Sequence, residues 1–121
     1  MLYKVFDVDE LVDLKNSDYE MIDLMENNGS HLKLIGLKKH EEIEAHLSHT
    51  NACIYLIDGE IEFIFNLTSN CTCSSCECEM DENEEDCKKF KIKKEQFFMF
   101  EKDIMHAIKA LKDSVFLLIK I

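Results

Sequence analysis

A chain of 121 residues, 46% of them hydrophobic, is the size of one ordinary domain that fills one core. Asp and Glu number 25 against 14 Lys and Arg, a formal charge of -11, and such a field repels the phosphates of nucleic acid and the anionic face of a membrane. Neither is expected as a partner, and with no proline in the chain its turns must be set by Gly, Asn and Asp.

In chain order, residues 8–15 place Val8, Leu11, Val12 and Leu14 at near-helical spacing with acids in the first turn, which predicts a short N-terminal helix on the outside of the main body. From Tyr19 the period changes. Residues 21–25 and 32–37 read as two strands joined by an Asn28-Gly29 turn. Residues 53–57 and 61–65 flank Asp58-Gly59, a dipeptide favoured in tight hairpins because both central residues need positive φ. In the second of these strands Ile61, Phe63 and Phe65 share one face while Glu60 and Glu62 take the other, the pattern of a sheet with one side in a core.

Residues 68–88 break the pattern, with almost no apolar side chains and acids crowded from Glu77 to Asp86, and read as an exposed acidic loop rich in cysteine. Lys88, Lys89, Lys91, Lys93 and Lys94 follow; they balance the loop and suit an exposed strand edge. Strand character returns at 90–93, 97–100, 106–109 and 115–121. No repeat is visible. Many short strands and one short helix predict an all-β sandwich or barrel, with residues 1–18 as a helical arm and 19–121 as the barrel.

Two segments resemble the small single-domain cupins. The first runs from His46-Leu47-Ser48-His49 through Ala52-Cys53-Ile54-Tyr55-Leu56-Ile57 to Asp58-Gly59-Glu60-Ile61-Glu62-Phe63, similar to the family's histidine strand, hydrophobic strand and Gly-Glu hairpin. The second is Phe98-Met99-Phe100-Glu101-Lys102-Asp103-Ile104-Met105-His106-Ala107-Ile108, followed by an apolar closing strand. The resemblance covers residues 32–121 and implies a jelly-roll β-barrel whose two motifs supply metal ligands to its interior. Of the first motif's two histidines and glutamate, this chain keeps only His46, with Ser48 and Ala52 at the other two positions. The second motif keeps His106 but has Glu101 and Asp103 where proline and glycine are usual.

His46 and His106 are the positions expected to face the interior, and two neutral imidazoles could hold Fe, Mn, Ni, Cu or Zn if a third donor joined them. His49 is the candidate third, provided a bulge near Ser48 turns it to the same side, because residues three apart in a regular strand face opposite ways. His31 and His40 are expected at the surface. Without a metal, Ser48, Ala52, Ile54, Leu56 and Phe100 would line a pocket for a small molecule, or simply fill the barrel.

No export signal or apolar stretch of about 20 residues is visible, so a cytoplasmic location is expected. In a reducing compartment six cysteines read as thiols or thiolate ligands more readily than as disulfides. Cys71, Cys73, Cys76 and Cys78 form CxCxxCxC, with Cys87 beyond the acidic run. Soft thiolates suit Zn, Cu(I) or an iron-sulfur centre, yet one contiguous run is not the usual pair of separated CxxC arms. The neighbouring acids raise thiol pKa values and disfavour a nucleophilic cysteine. Cys53 is expected as a small core residue. Three functions compete: a binding module holding a small ligand with or without a divalent metal, a metal-dependent oxygenase or isomerase, and a metal-buffering or metal-sensing protein acting through the loop. The apolar closing strand and the resemblance also imply a homodimer.

Overall fold

The computed structural model describes residues 5–14, 19–66 and 87–121. After a helix α1 (Val8–Leu11) come nine strands: β1 (Glu20–Asn27), β2 (Ser30–Leu37), β3 (Glu42–Leu47), β4 (Ala52–Asp58), β5 (Glu60–Asn66), β6 (Cys87–Lys93), β7 (Phe97–Phe100), β8 (Met105–Ala110) and β9 (Ser114–Lys120). They form a five-stranded sheet in the order β1-β2-β9-β4-β7 and a four-stranded sheet in the order β3-β8-β5-β6, every pairing antiparallel.

Alternation decides what lies between the sheets. Ala52, Ile54 and Leu56 of β4, Ile61, Phe63 and Phe65 of β5, and Phe116 of β9 are buried and meet in one core with Ile35, Leu37, Ile92, Phe100 and Ile108. Each fully buried Leu, Ile or Phe contributes about 1.5–3 kcal/mol. The alternate residues of β4, Cys53, Tyr55 and Ile57, are half-buried on the outer face of the five-stranded sheet. Cys53 is therefore not the core residue expected, and partial burial raises its thiol pKa.

The Asn28-Gly29 turn forms as predicted, with φ of 49° and 87° joining two strands paired from Glu20↔Gly36 to Asn27↔Ser30. Asp58-Gly59 does not make the predicted hairpin. Its flanking strands lie in different sheets, β4 beside β7 and β9, β5 beside β6 and β8, so the dipeptide is the corner at which the chain crosses the barrel. Only Gly59 of the two has positive φ, 97°. A Cβ there would lie 2.3 Å from Ser114 Oγ and 2.4 Å from the Asp113 carbonyl oxygen, so glycine is required by contact as well as by conformation. The fully buried Ser114 ties the corner: its hydroxyl accepts from the Glu60 amide at 3.0 Å and reaches the Lys112 and Glu60 carbonyls at 2.7 and 3.1 Å.

The N-terminal helix is one turn, shorter than the spacing predicts. Asp7 caps it by accepting from the Asp9 amide at 3.1 Å, and the chain is already extended at Val12. From there Val12 lies buried over Gly36 of β2, where an added Cβ would come 2.5 Å from Val12 Cγ1. At the other side, β6 is an edge of the four-stranded sheet among the described residues and carries the lysines expected of an edge. Lys91 and Lys93 pair in register with Glu62 and Glu60, cross-strand partners of opposite charge. The cysteine-rich stretch joins β5 to β6, whose last and first residues pair as Asn66↔Cys87, so it is an insertion in a hairpin. Cys71, Cys73, Cys76 and Cys78 lie outside the described residues.

Candidate functional site

The site begins with an irregularity in β3. Ile43 pairs with Ile108 and His46 pairs with His106, so three residues of β3 advance against two of β8. A regular strand would turn Ile43 and His46 to opposite faces; the bulge between them brings both inward. His46 and His106 consequently stand side by side across two neighbouring strands, ring centroids 4.3 Å apart and planes at 60°.

Both rings are held alike. His46 Nδ1 lies 2.8 Å from the Glu44 carbonyl oxygen and His106 Nδ1 2.9 Å from that of Ile104. A carbonyl can only accept, so each neutral ring carries its proton on Nδ1 and leaves the Nε2 lone pair available. His106 is buried, stacked on Phe63 at 5.2 Å and 16°, with Phe100 at 4.8 Å on another side. Burial among these rings pushes its pKa down to about 4, against the hydrogen bond to Ile104, and the nearby charges of His46 and Lys120 push the same way. It is neutral at physiological pH.

Beside the two imidazoles lies a cavity of about 60 Å³, room for about four waters. His46, Ser48, Ala52 and His106 all line it, together with Phe100. The four family ligand positions thus converge in space even though two of them hold a serine and an alanine. Ser48 is buried, and its hydroxyl donates to the Thr50 carbonyl at 3.0 Å, closing the turn after β3. Ile54 and Leu56, expected in the pocket wall, are fully buried in the core and do not line the cavity. His49 sits past the end of β3 with its side chain 87% exposed and 3.7 Å from Asp103, away from the cavity. The bulge lies before His46, not near Ser48, which is why His49 does not join the pair. His31 faces Glu26 at 3.7 Å on the β1-β2 hairpin, and His40 occupies an exposed turn with φ of 77°.

Two charged lining residues lie outside the motifs: Lys33 of β2 and Lys120 of β9. The strand alternation points to both. Lys33 shares its face with the buried Ile35 and Leu37, and Lys120 with Phe116 and Leu118. Lys33 is 19% exposed, its ammonium 3.6 Å from the solvated carboxylate of Asp23 and 3.8 Å from Met21 Sδ. Burial and the charge of Lys33 both lower the Lys120 pKa.

No protein-family model and no curated protein matches the chain. Solved structures do. A conserved protein of unknown function from Streptococcus pyogenes superposes with a TM-score of 0.74 at 18% identity, covering 98% of this chain and 86% of that one. A cupin superfamily protein from Desulfitobacterium hafniense gives 0.73 at 14% identity over 98% and 90% of the two chains. An RmlC-like cupin with a double-stranded β-helix fold from Methanocaldococcus jannaschii gives 0.67 at 14% identity over 99% and 91%. The fold is that of the cupins, as the two motifs lead one to expect.

Cupins commonly carry a metal, and the donor set here tests the fit. His46 and His106 offer two Nε2 atoms, but among the described residues no three His, Cys, Asp or Glu side chains converge. Two ammonium groups face the same cavity instead. The described residues do not by themselves complete a metal site, and what they offer at this cavity is hydrogen bonding and charge.

Proposed function

We propose that this cupin domain is a binding module that holds a small molecule in the cavity between its sheets, against His46 and His106. The observation that carries this reading is the paired imidazoles beside unfilled volume. Both rings spend their protons on backbone carbonyls and turn acceptor nitrogens toward space that hydrocarbon could otherwise occupy. Apolar walls with a few convergent polar groups are the usual composition of a small-ligand pocket. A metal-dependent oxygenase or isomerase draws support only from the same two nitrogens, which are those a metal would use. Metal sensing through Cys71, Cys73, Cys76, Cys78 and Cys87 draws support from the softness of thiolates.

The domain works as a homodimer in this reading, formed through the outer face of the five-stranded sheet. Phe97 and Met99 are exposed there beside Cys53, Leu117 and Ile119, and no helix long and apolar enough to cross a membrane is present among the described residues. Sedimentation of wild type and Met99→Glu tests the dimer.

For the pocket, imidazole resonances of His46 and His106 are followed while a panel of small polar metabolites is added to wild type and to Ala52→Leu, which fills the cavity. A compound that shifts both rings in wild type and neither in the variant supports the proposal, and a panel that shifts nothing refutes it. Elemental analysis of untagged protein purified anaerobically under reducing conditions separates the alternatives. Near-stoichiometric metal lost with His46→Ala plus His106→Ala would favour the enzyme. Metal lost only when the four loop cysteines are changed to Ser would favour the sensor.

A further inference from the structure

The charge of the cavity is the reverse of the charge of the chain. In a protein of formal charge -11, the ionisable groups lining this space among the described residues are Lys33, Lys120, His46 and His106, with no carboxylate. Lys33 is partly neutralised by Asp23 at 3.6 Å. Lys120 has no carboxylate within 4 Å among the described residues, and it is half-buried next to a second cation. A half-buried ammonium held beside a second cation is unfavourable, and an anion between them would relieve it. The remaining polar groups ask for something else. With Nδ1 of each ring against a backbone carbonyl, the Nε2 of a neutral imidazole is an acceptor, so a partner for it must donate a proton.

Building on the small-ligand reading of the cavity, we propose that its ligand is a short-chain hydroxycarboxylate. The carboxylate sits between Lys120 and Lys33, the hydroxyl donates to an imidazole Nε2, and the carbon skeleton lies against Ile108 and Phe100. A volume of about 60 Å³ limits the ligand to a few non-hydrogen atoms, the size of glycolate or lactate. Larger acids are excluded by Phe100 and Ile108, which belong to the core and cannot withdraw without opening it. No electron or group transfer is required; the site binds.

The test is isothermal titration of the full-length protein with L- and D-lactate, glycolate, propionate, lactamide and inorganic phosphate, at low and high salt. Lactate or glycolate is expected to bind at least tenfold more tightly than propionate, which lacks the hydroxyl, and than lactamide, which lacks the charge, with affinity falling as salt rises. Lys120→Met, which keeps the apolar stem, is expected to weaken the acid at least tenfold and leave lactamide unchanged. Lys93→Met, on the β6 edge, removes the same charge far from the cavity and is expected to change neither. Circular dichroism establishes that each variant is folded. Lactamide binding as well as lactate, or Lys93→Met weakening lactate as much as Lys120→Met, overturns the carboxylate assignment while leaving a small-molecule pocket in place. Propionate binding as well as lactate overturns the role of the hydroxyl. Phosphate binding more tightly than any of the acids assigns the site to another class of anion, and no binding by any probe, charged or neutral, removes the pocket itself.

Discussion

Lowering the pH tests the environment of His106 directly. Its folded-state pKa of about 4 lies below the ordinary imidazole value of 6.5, so as pH falls the unfolded chain takes up the proton first. The associated stability is whole above about pH 6.5 and is lost as pH falls toward 4. Each tenfold difference in proton affinity is worth about 1.36 kcal/mol, and the interval from 6.5 to about 4 sets a ceiling of about 3 kcal/mol; allowing for solvent screening through the cavity, about 2 kcal/mol is expected between pH 7 and pH 4.5. The assay is urea denaturation followed by far-UV circular dichroism in steps across that range, for wild type and His106→Gln, whose amide can still donate to the Ile104 carbonyl. The many carboxylates titrate in both proteins, so the stability difference between them isolates the imidazole. The wild-type curve should fall more steeply by about 2 kcal/mol. Parallel curves, or a proton titration of His106 by NMR with a midpoint near 6.5, would refute the reasoning.

The corner between β4 and β5 yields two further expectations. Gly59→Ala puts a Cβ against Ser114 and the Asp113 backbone at positive φ; a loss of about 3 kcal/mol or more is expected in thermal or urea unfolding. Ser114→Ala removes a fully buried hydroxyl and leaves the half-buried Glu60 amide without its acceptor, and should cost about 2 kcal/mol by the same measurement. Gly36→Ala meets only side chains, Val12 and Leu14, and should cost about 1 kcal/mol, read as faster proteolysis of the N-terminal segment with the barrel intact.

The Asn28-Gly29 turn is legible from the sequence because it is a local event, two adjacent residues at positive φ between strands that pair with each other. Asp58-Gly59 carries the same local signal and means something else, because its geometry is set by Ser114, more than fifty residues away, and by which sheet each flanking strand joins. The inward positions of His46 and His106 follow from the motifs, yet the exclusion of His49 depends on a bulge whose place in β3 is decided by pairing with β8. Lys33 and Lys120 were open to counting, since each is an even number of residues from a buried neighbour on its strand. Their charge argues for the surface, and only parity argues for the interior. The one-turn helix shows the reverse override: the apolar spacing of residues 8–15 persists, but Val12 gains more from lying over Gly36 than from continuing the helix.

The pairing of Asn66 with Cys87 has a consequence for how this chain tolerates change. The twenty residues numbered 67–86 connect Asn66 and Cys87, which pair with each other at the end of one antiparallel ladder. Closure entropy grows slowly with the number of residues between two fixed ends, by about 0.6 kcal/mol for each doubling, small beside the core that β5 anchors. Closure entropy alone therefore sets little resistance to changing the number of residues there. The ladder resumes one residue from Phe65, which pairs with His106, so both ends of the connection lie next to the imidazole strand. The fold thus fixes where the connection begins and ends more firmly than how long it is.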